Sequence, residues 1–199
     1  MEHSRKVDPE TGDILFRAVQ AVSVIAGGSD PYLGGHATRV AEYADQLADD
    51  LGLAEPDRLL LWVAAVFHDI GMLATPPYIL RKPTTLAESE MEEVRVHPLK
   101  GAELFEGDPR LAPVAAAIRH HHERFDGSGY PTGLAGEAIP LSSRIILVAE
   151  TYEAMTHDRA YRRAGSHAEA VRELRESAGT QLDPMLVERF LALIDPPAD

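Results

Sequence analysis

Cysteine is missing altogether from the 199 residues. That excludes disulfides, thiolate zinc sites, iron–sulfur clusters and cysteine nucleophiles, and leaves nitrogen and oxygen as the ligands open to any metal. No apolar run approaches the roughly 20 residues a membrane span requires, so no crossing is expected. The start, Met1-Glu2-His3-Ser4-Arg5-Lys6, lacks the apolar block of a signal peptide, and a cytoplasmic protein is expected. Basic residues are also scarce: 19 Lys and Arg against 32 Asp and Glu give a net charge of −13. This argues against a long DNA or RNA duplex as partner, because a duplex needs a basic face to exchange with its counterions. A small anionic substrate stays open, since bound metal ions reverse the local sign in a pocket. Long flexible spacers, internal repeats and low-complexity tracts are absent too, which at this length predicts one compact domain.

Helical periodicity fills most of the chain. Apolar residues recur at helical spacing over 13–26, where Gly27-Gly28 ends the run, and from His36 to Leu51, where Gly52 does. Pro56 suits the first turn of a helix that runs to Phe67 and carries His68-Asp69 at its end. Further helices are predicted over 88–96, 99–105, 113–122, 141–155, 167–176 and 184–193, while the turn formers between Gly127 and Gly136 predict a loop. No alternating strand pattern competes, so the fold class is all-α.

Chemistry concentrates where these helices end. Val66-Phe67-His68-Asp69-Ile70-Gly71 puts an imidazole and a carboxylate side by side after an apolar run, where charge is rarely buried without a partner or a metal. His36, His97, His121, His122 and Glu150 lie at or near the ends of other apolar helices, the arrangement by which helical folds converge metal ligands. Singly, His36 reads as a packed histidine and His121-His122 as surface residues; jointly with His68-Asp69 they read as a metal site. Imidazole and carboxylate without thiolate suit iron, manganese, nickel or zinc, and more than four ligands suit two ions, which can hold a phosphate and activate a water. His120, His3, His157 and His167 are expected at the surface, and Glu123 and Asp126 are expected to orient ligand histidines. The glycines at 127, 129 and 133 are read as shaping the backbone through positive φ.

From about Asp30 to Phe190 the chain resembles the HD-GYP family of metal-dependent phosphodiesterases, within the wider HD phosphohydrolase superfamily. The likeness rests on His36 with Arg39-Val40, His68-Asp69-Ile70-Gly71, Ile79-Leu80 with Lys82-Pro83, His97-Pro98 with Gly101, and His121-His122-Glu123-Arg124. It continues through Asp126-Gly127-Ser128-Gly129-Tyr130-Pro131, Gly133-Leu134, Ile139-Pro140-Leu141, Arg144-Ile145, Met155-Thr156, Asp158-Arg159, Tyr161-Arg162 and Asp183-Pro184. It implies an HD-domain helical bundle with a Gly-rich GYP loop over 30–195, preceded by a helical extension over 1–29. It implies hydrolysis of cyclic di-GMP to pGpG or GMP by two or three divalent ions, iron or manganese first, with nickel and zinc as alternatives. By position, His36, His68, Asp69, His97, His121, His122 and Glu150 match metal ligands, with Asp69 as the bridge and His68 and Asp69 as the catalytic pair. Arg159 and Arg162 match substrate-binding positions that face phosphate, and Tyr130 is expected either to stack on or hydrogen-bond to a guanine of the substrate or to anchor the loop by packing.

Three positions depart from the pattern. Tyr32 stands where three-metal members carry a glutamate, so two ions are expected. Met72 replaces the lysine that usually follows His-Asp-Ile-Gly, and Glu150 replaces an aspartate. These changes leave two alternatives to an active enzyme for cyclic di-GMP: a degenerate module that binds nucleotide or protein partners, or an enzyme for another cyclic dinucleotide. A homodimer through the 13–26 helix, or a partner protein from diguanylate signalling, is a further expectation.

Overall fold

The structure, a computed structural model, describes residues 31–158 and 163–195, with the side chains of 31–34 left aside. The helix expected over 13–26 and the substrate arginines Arg159 and Arg162 lie outside the described residues. Helix α1 spans Pro31–Asp50 and α2 spans Glu55–Phe67, with Gly52 at φ 73° supplying the left-handed turn between them. A 3-10 turn, Ile70–Ala74, follows the His68-Asp69 pair, and a single helical turn, α3 (Pro77–Leu80), interrupts the expected loop. Then come α4 (Glu88–Arg95), α5 (His97–Glu103) and α6 (Ala112–Arg119). After the Gly-rich segment, α7 (Leu141–Thr156), α8 (His167–Ser177) and α9 (Pro184–Ile194) complete the bundle. Among the described residues there is no strand, and no helix is long and apolar enough to cross a membrane.

Two boundaries differ from expectation in ways that matter for the site. Helix α5 begins at His97 rather than Leu99, because Pro98 falls in the first turn, where a missing N–H costs nothing. Helix α6 ends at Arg119, so His120, His121 and His122 lie in the turn beyond it rather than on the helix.

Helix α7 is the hub: Ile145, Ile146, Leu147, Val148 and Ala149 are consecutive and all buried, as in a helix covered on several sides. It packs on α1, α6, α8 and α9, while α1 also packs on α2. Small residues are buried on these helices, Ala41, Ala44 and Ala48 on α1, Ala64 and Ala65 on α2 and Ala117 on α6. Phe190 of α9 is fully buried against Tyr43 and Tyr152, with ring centroids 6.0 and 5.4 Å away in edge-on geometry. Asp183 caps α9 by accepting from Met185 N at 2.9 Å and also pairs with Arg144.

The 3-10 turn and α5 meet backbone to backbone. A β-carbon built on Gly71 would lie 2.0 Å from the His97 carbonyl oxygen and 2.6 Å from the Gly101 nitrogen, both backbone atoms that cannot swing aside. Gly71→Ala is therefore expected to cost at least the roughly 1–3 kcal/mol of an overpacked core, at about 2–4 °C of Tm per kcal/mol. Thermal denaturation checks this, with Gly107→Ala as the control, since nothing lies within 4 Å of its added carbon and its Tm should hold.

Candidate metal centre

Three helix ends deliver three histidines. The last four carbonyls of an α-helix have no partner within it, and His68, His97 and His121 stand just past the ends of α2, α4 and α6. Each folds back onto the carbonyl three residues before it: His68 Nδ1 lies 2.7 Å from Ala65 O, His97 Nδ1 2.8 Å from Val94 O, and His121 Nδ1 2.6 Å from Ile118 O. A carbonyl only accepts, so each Nδ1 carries a proton and the ring turns Nε2 toward the interior as the atom open to a metal. His36 sits inside α1 and is held differently, with its Nδ1 donating to the buried Glu153 of α7.

Asp69 joins these rings. Its Oδ1 is 3.2 Å from His97 Nε2 and 3.9 Å from His121 Nε2, while its Oδ2 is 3.4 Å from His68 Nε2. Two groups result: Asp69, His97, His121 and His122 in one, and His36, His68 and Asp69 in the other, with the ligand atoms of each within 4.8 Å of one another. Glu150 falls in neither group. Its Oε2 is buried with no hydrogen-bond partner, as is His68 Nε2.

The donor set fits cations. His97 Nε2 and His121 Nε2 lie 3.3 Å apart beside the Asp69 carboxylate, so nitrogen and oxygen ligand atoms converge on one point. Orphaned buried polar atoms cost about 1–3 kcal/mol each, which ligation would recover. Burial, then the neighbouring imidazoles, push His121 well down, and burial lowers His122, so both are neutral as ligation requires. Burial alone would raise Asp69, but His68 and His97 hold its carboxyl well below the usual range. Burial would likewise depress His68, but Asp69 outweighs it and lifts the ring above the ordinary imidazole range, so an ion there displaces a proton.

The Gly-rich segment is irregular as expected, but Glu123 and Asp126 do not orient the histidines. Buried Glu123 clamps the loop back on its own start, accepting from Thr132 N at 2.8 Å, Thr132 Oγ1 at 2.6 Å and Gly133 N at 3.0 Å. Asp126 closes a turn on Ser128, accepting from its N at 2.9 Å and its Oγ at 2.6 Å. Backbone carbonyls do the orienting instead. Gly127 and Gly133 have positive φ as expected, whereas Gly129 does not: a β-carbon on it would meet Arg124 N at 2.3 Å and His122 O at 2.6 Å, so close packing is the reason for glycine there. The clamped loop sets Tyr130 against His122, ring centroids 5.0 Å apart, and burial, with the Glu150 and Asp69 carboxylates, raises the phenol so that it stays protonated.

His120 belongs to neither group and rests 3.4 Å from Glu123 Oε1, half-buried rather than at the surface. His157 is also half-buried, with Nδ1 3.1 Å from Thr156 Oγ1, while exposed His167 meets the Tyr152 hydroxyl at 2.9 Å. His3 lies outside the described residues. Sequence reasoning missed Glu153. Its signal was the spacing Glu150–Glu153, two carboxylates one helical turn apart on a helix otherwise apolar at its centre.

A model of the HD domain matches residues 20–186. The chain belongs to the HD-domain family. Among curated relatives, this HD-domain chain is 38% identical over 188 residues to the cyclic di-GMP phosphodiesterase response regulator RpfG of Xanthomonas campestris, covering 94% of this chain and 49% of that protein. It is 37% identical over 175 residues to the 3'3'-cGAMP-specific phosphodiesterase 3 of Vibrio cholerae, covering 88% of this chain and 37% of that one. The chain thus spans half or less of these relatives. The solved structure of Bd1817, an HDG"Y"P protein from Bdellovibrio bacteriovorus, superposes with a TM-score of 0.66 at 18% identity, over 93% of this chain and 64% of that one, and shares the fold.

HD-domain membership and the two histidine groups imply divalent metal binding, which stabilises the folded state by mass action. At about 100 times Kd an ion adds about 2.7 kcal/mol, so manganese or zinc should raise Tm by about 5–11 °C and a chelator should reverse the rise. His121→Ala should lose most of that shift. Glu123→Ala should release the loop and open 127–136 to limited proteolysis that the parent chain resists, read by mass spectrometry of the fragments.

Proposed function

We propose that the chain is a metal-dependent phosphodiesterase that hydrolyses cyclic di-GMP to pGpG or GMP at a centre of two divalent ions. The observation that carries this is Asp69, with one oxygen facing each histidine group. His36, His68 and Asp69 Oδ2 would hold one ion, and Asp69 Oδ1, His97, His121 and His122 the other. Glu150 closes the set, its longer arm standing in for an aspartate. Iron or manganese suits this nitrogen and oxygen donor set first, with nickel and zinc as alternatives. When bound, the two ions supply positive charge to the phosphate and a water of lowered pKa.

The chain's own residues hold the reactants. His68 and Asp69 position the reacting centre and keep it tied to both ion positions. Tyr130, protonated beside His122, offers a ring face and a hydroxyl to a guanine base. Arg159 and Arg162 would meet the phosphates with bidentate forks. Met72, half-buried in the 3-10 turn just past Asp69, supplies no cation there. By analogy with a lost oxyanion-hole donor, that absence costs about 2.7–4 kcal/mol, or about 100–1000-fold in rate. A cytoplasmic location and a homodimer through the 13–26 helix complete the reading.

A second substrate is favoured by a specific observation: the relative named for 3'3'-cGAMP is as similar as the one named for cyclic di-GMP, 37% against 38%. Chromatographic assay of the manganese- or iron-loaded chain against both nucleotides tests the reading. Hydrolysis should vanish in His68→Ala and Asp69→Ala and rise by up to about 100–1000-fold in Met72→Lys. Preference for the mixed nucleotide would move the specificity without touching the chemistry. Metal-loaded parent and Met72→Lys chains that both leave the two nucleotides intact would overturn the enzymatic reading and leave a binding module.

A further inference from the structure

We infer that Glu153, held by Arg39, is a positioning residue that decides whether one of the two ion positions fills. The inference rests on the two-ion reading of the site. His68, His97 and His121 each use a carbonyl of the helix that precedes them, so their orientation is local to the chain. His36 has no such recourse. It lies within α1, where the carbonyls one turn back are engaged in the helical ladder, and it takes its acceptor from α7 across the interface.

Both oxygens of Glu153 face α1, and His157 Nδ1 at the end of the same helix lies 3.8 Å from Oε1. Oε2 accepts the His36 Nδ1 proton, while Oε1 receives Arg39 Nε at 2.9 Å and Nη2 at 2.6 Å. The Glu153 side chain is 2% exposed, and a carboxylate that deep is tolerated when a guanidinium fork and a ring N–H satisfy it. Arg39 is three residues after His36, so both project from one face of α1 onto the same carboxylate. A carboxylate on Nδ1 excludes the other tautomer and makes Nε2 a stronger donor than a carbonyl would. The two ion positions therefore differ in origin. At the one lined by His97, His121 and His122, local backbone aims His97 and His121, whereas the one lined by His36 and His68 forms only when α1 is docked on α7 through Glu153.

The test uses the full chain titrated with manganese, with bound metal counted after equilibrium dialysis and spin coupling between ions read by electron paramagnetic resonance. The parent should take up two ions and show the coupled spectrum. Glu153→Ala should weaken one of the two by about 10–100-fold, the usual effect of losing such a partner, and show the spectrum of an isolated ion. The ion retained at the other position reports that the variant is folded. Glu153→Gln keeps an acceptor but loses the charge, and Arg39→Met keeps the charge but removes the guanidinium that holds it, so both should fall between parent and alanine variant. Glu153→Ala added to His36→Ala should cause no further loss. Two ions held at parent affinity by Glu153→Gln and Glu153→Ala, with only Tm lowered, would overturn the inference and leave the two-ion reading standing. A parent chain that binds no metal would bring down both.

Discussion

A helix that stops leaves carbonyl oxygens with nothing of their own to accept from, and in this chain three such ends each receive an imidazole Nδ1–H. One interaction does two things. It satisfies a buried acceptor that would otherwise cost stability, and it turns the far ring nitrogen toward a common centre as the atom open to a metal. The arrangement needs helices of the right length more than particular neighbours. Removing a residue near the end of α2, α4 or α6 would rotate the histidine off its carbonyl and out of the site, even with every ligand still in the sequence. Asp69 brings three independently aimed rings together because one of its oxygens lies beside His68 and the other beside His97 and His121.

The charge of the molecule is consistent with this centre in a way that the total conceals. A chain at −13 repels an anionic nucleotide at long range, and its described surface arginines are largely engaged by carboxylates, as in the pairs of Arg58 with Asp45 and of Arg189 with Asp50. In the proposed function, attraction would come from ions held between the imidazoles. Neutral His121 and His122 and an ionised Asp69 are the protonation states such ions require.

How much of this could be read in advance follows the chemistry of each interaction. Histidines and carboxylates announce themselves by type and spacing, so His68, Asp69, His97, His121 and His122 were legible, and so was the all-α class from its periodicity. Their orientation was not, because Ala65, Val94 and Ile118 act through the backbone and any residue could stand there. Glu123 was seen but misassigned: adjacency to His121-His122 suggested support for the rings, while its carboxylate turns to Thr132 and Gly133 instead. Gly129 was rightly taken as structural for the wrong reason, since contact distance rather than φ demands it. Glu153 was marked only by its spacing from Glu150; its partner stayed hidden because His36 lies 117 residues away in sequence.

The contact between Gly71 and the backbone at His97 and Gly101 carries a consequence for how such a chain can diverge. The scaffold that aims the ligands is made of main chain pressed against main chain, while residues such as Met72 and Glu150 are attached to it without building it. Descendants can therefore exchange those side chains one at a time, trading speed, ion preference or substrate, and still inherit an intact cage. The glycines at such main-chain contacts are the part of the inheritance that does not vary freely: chemistry can drift in this architecture long before shape does.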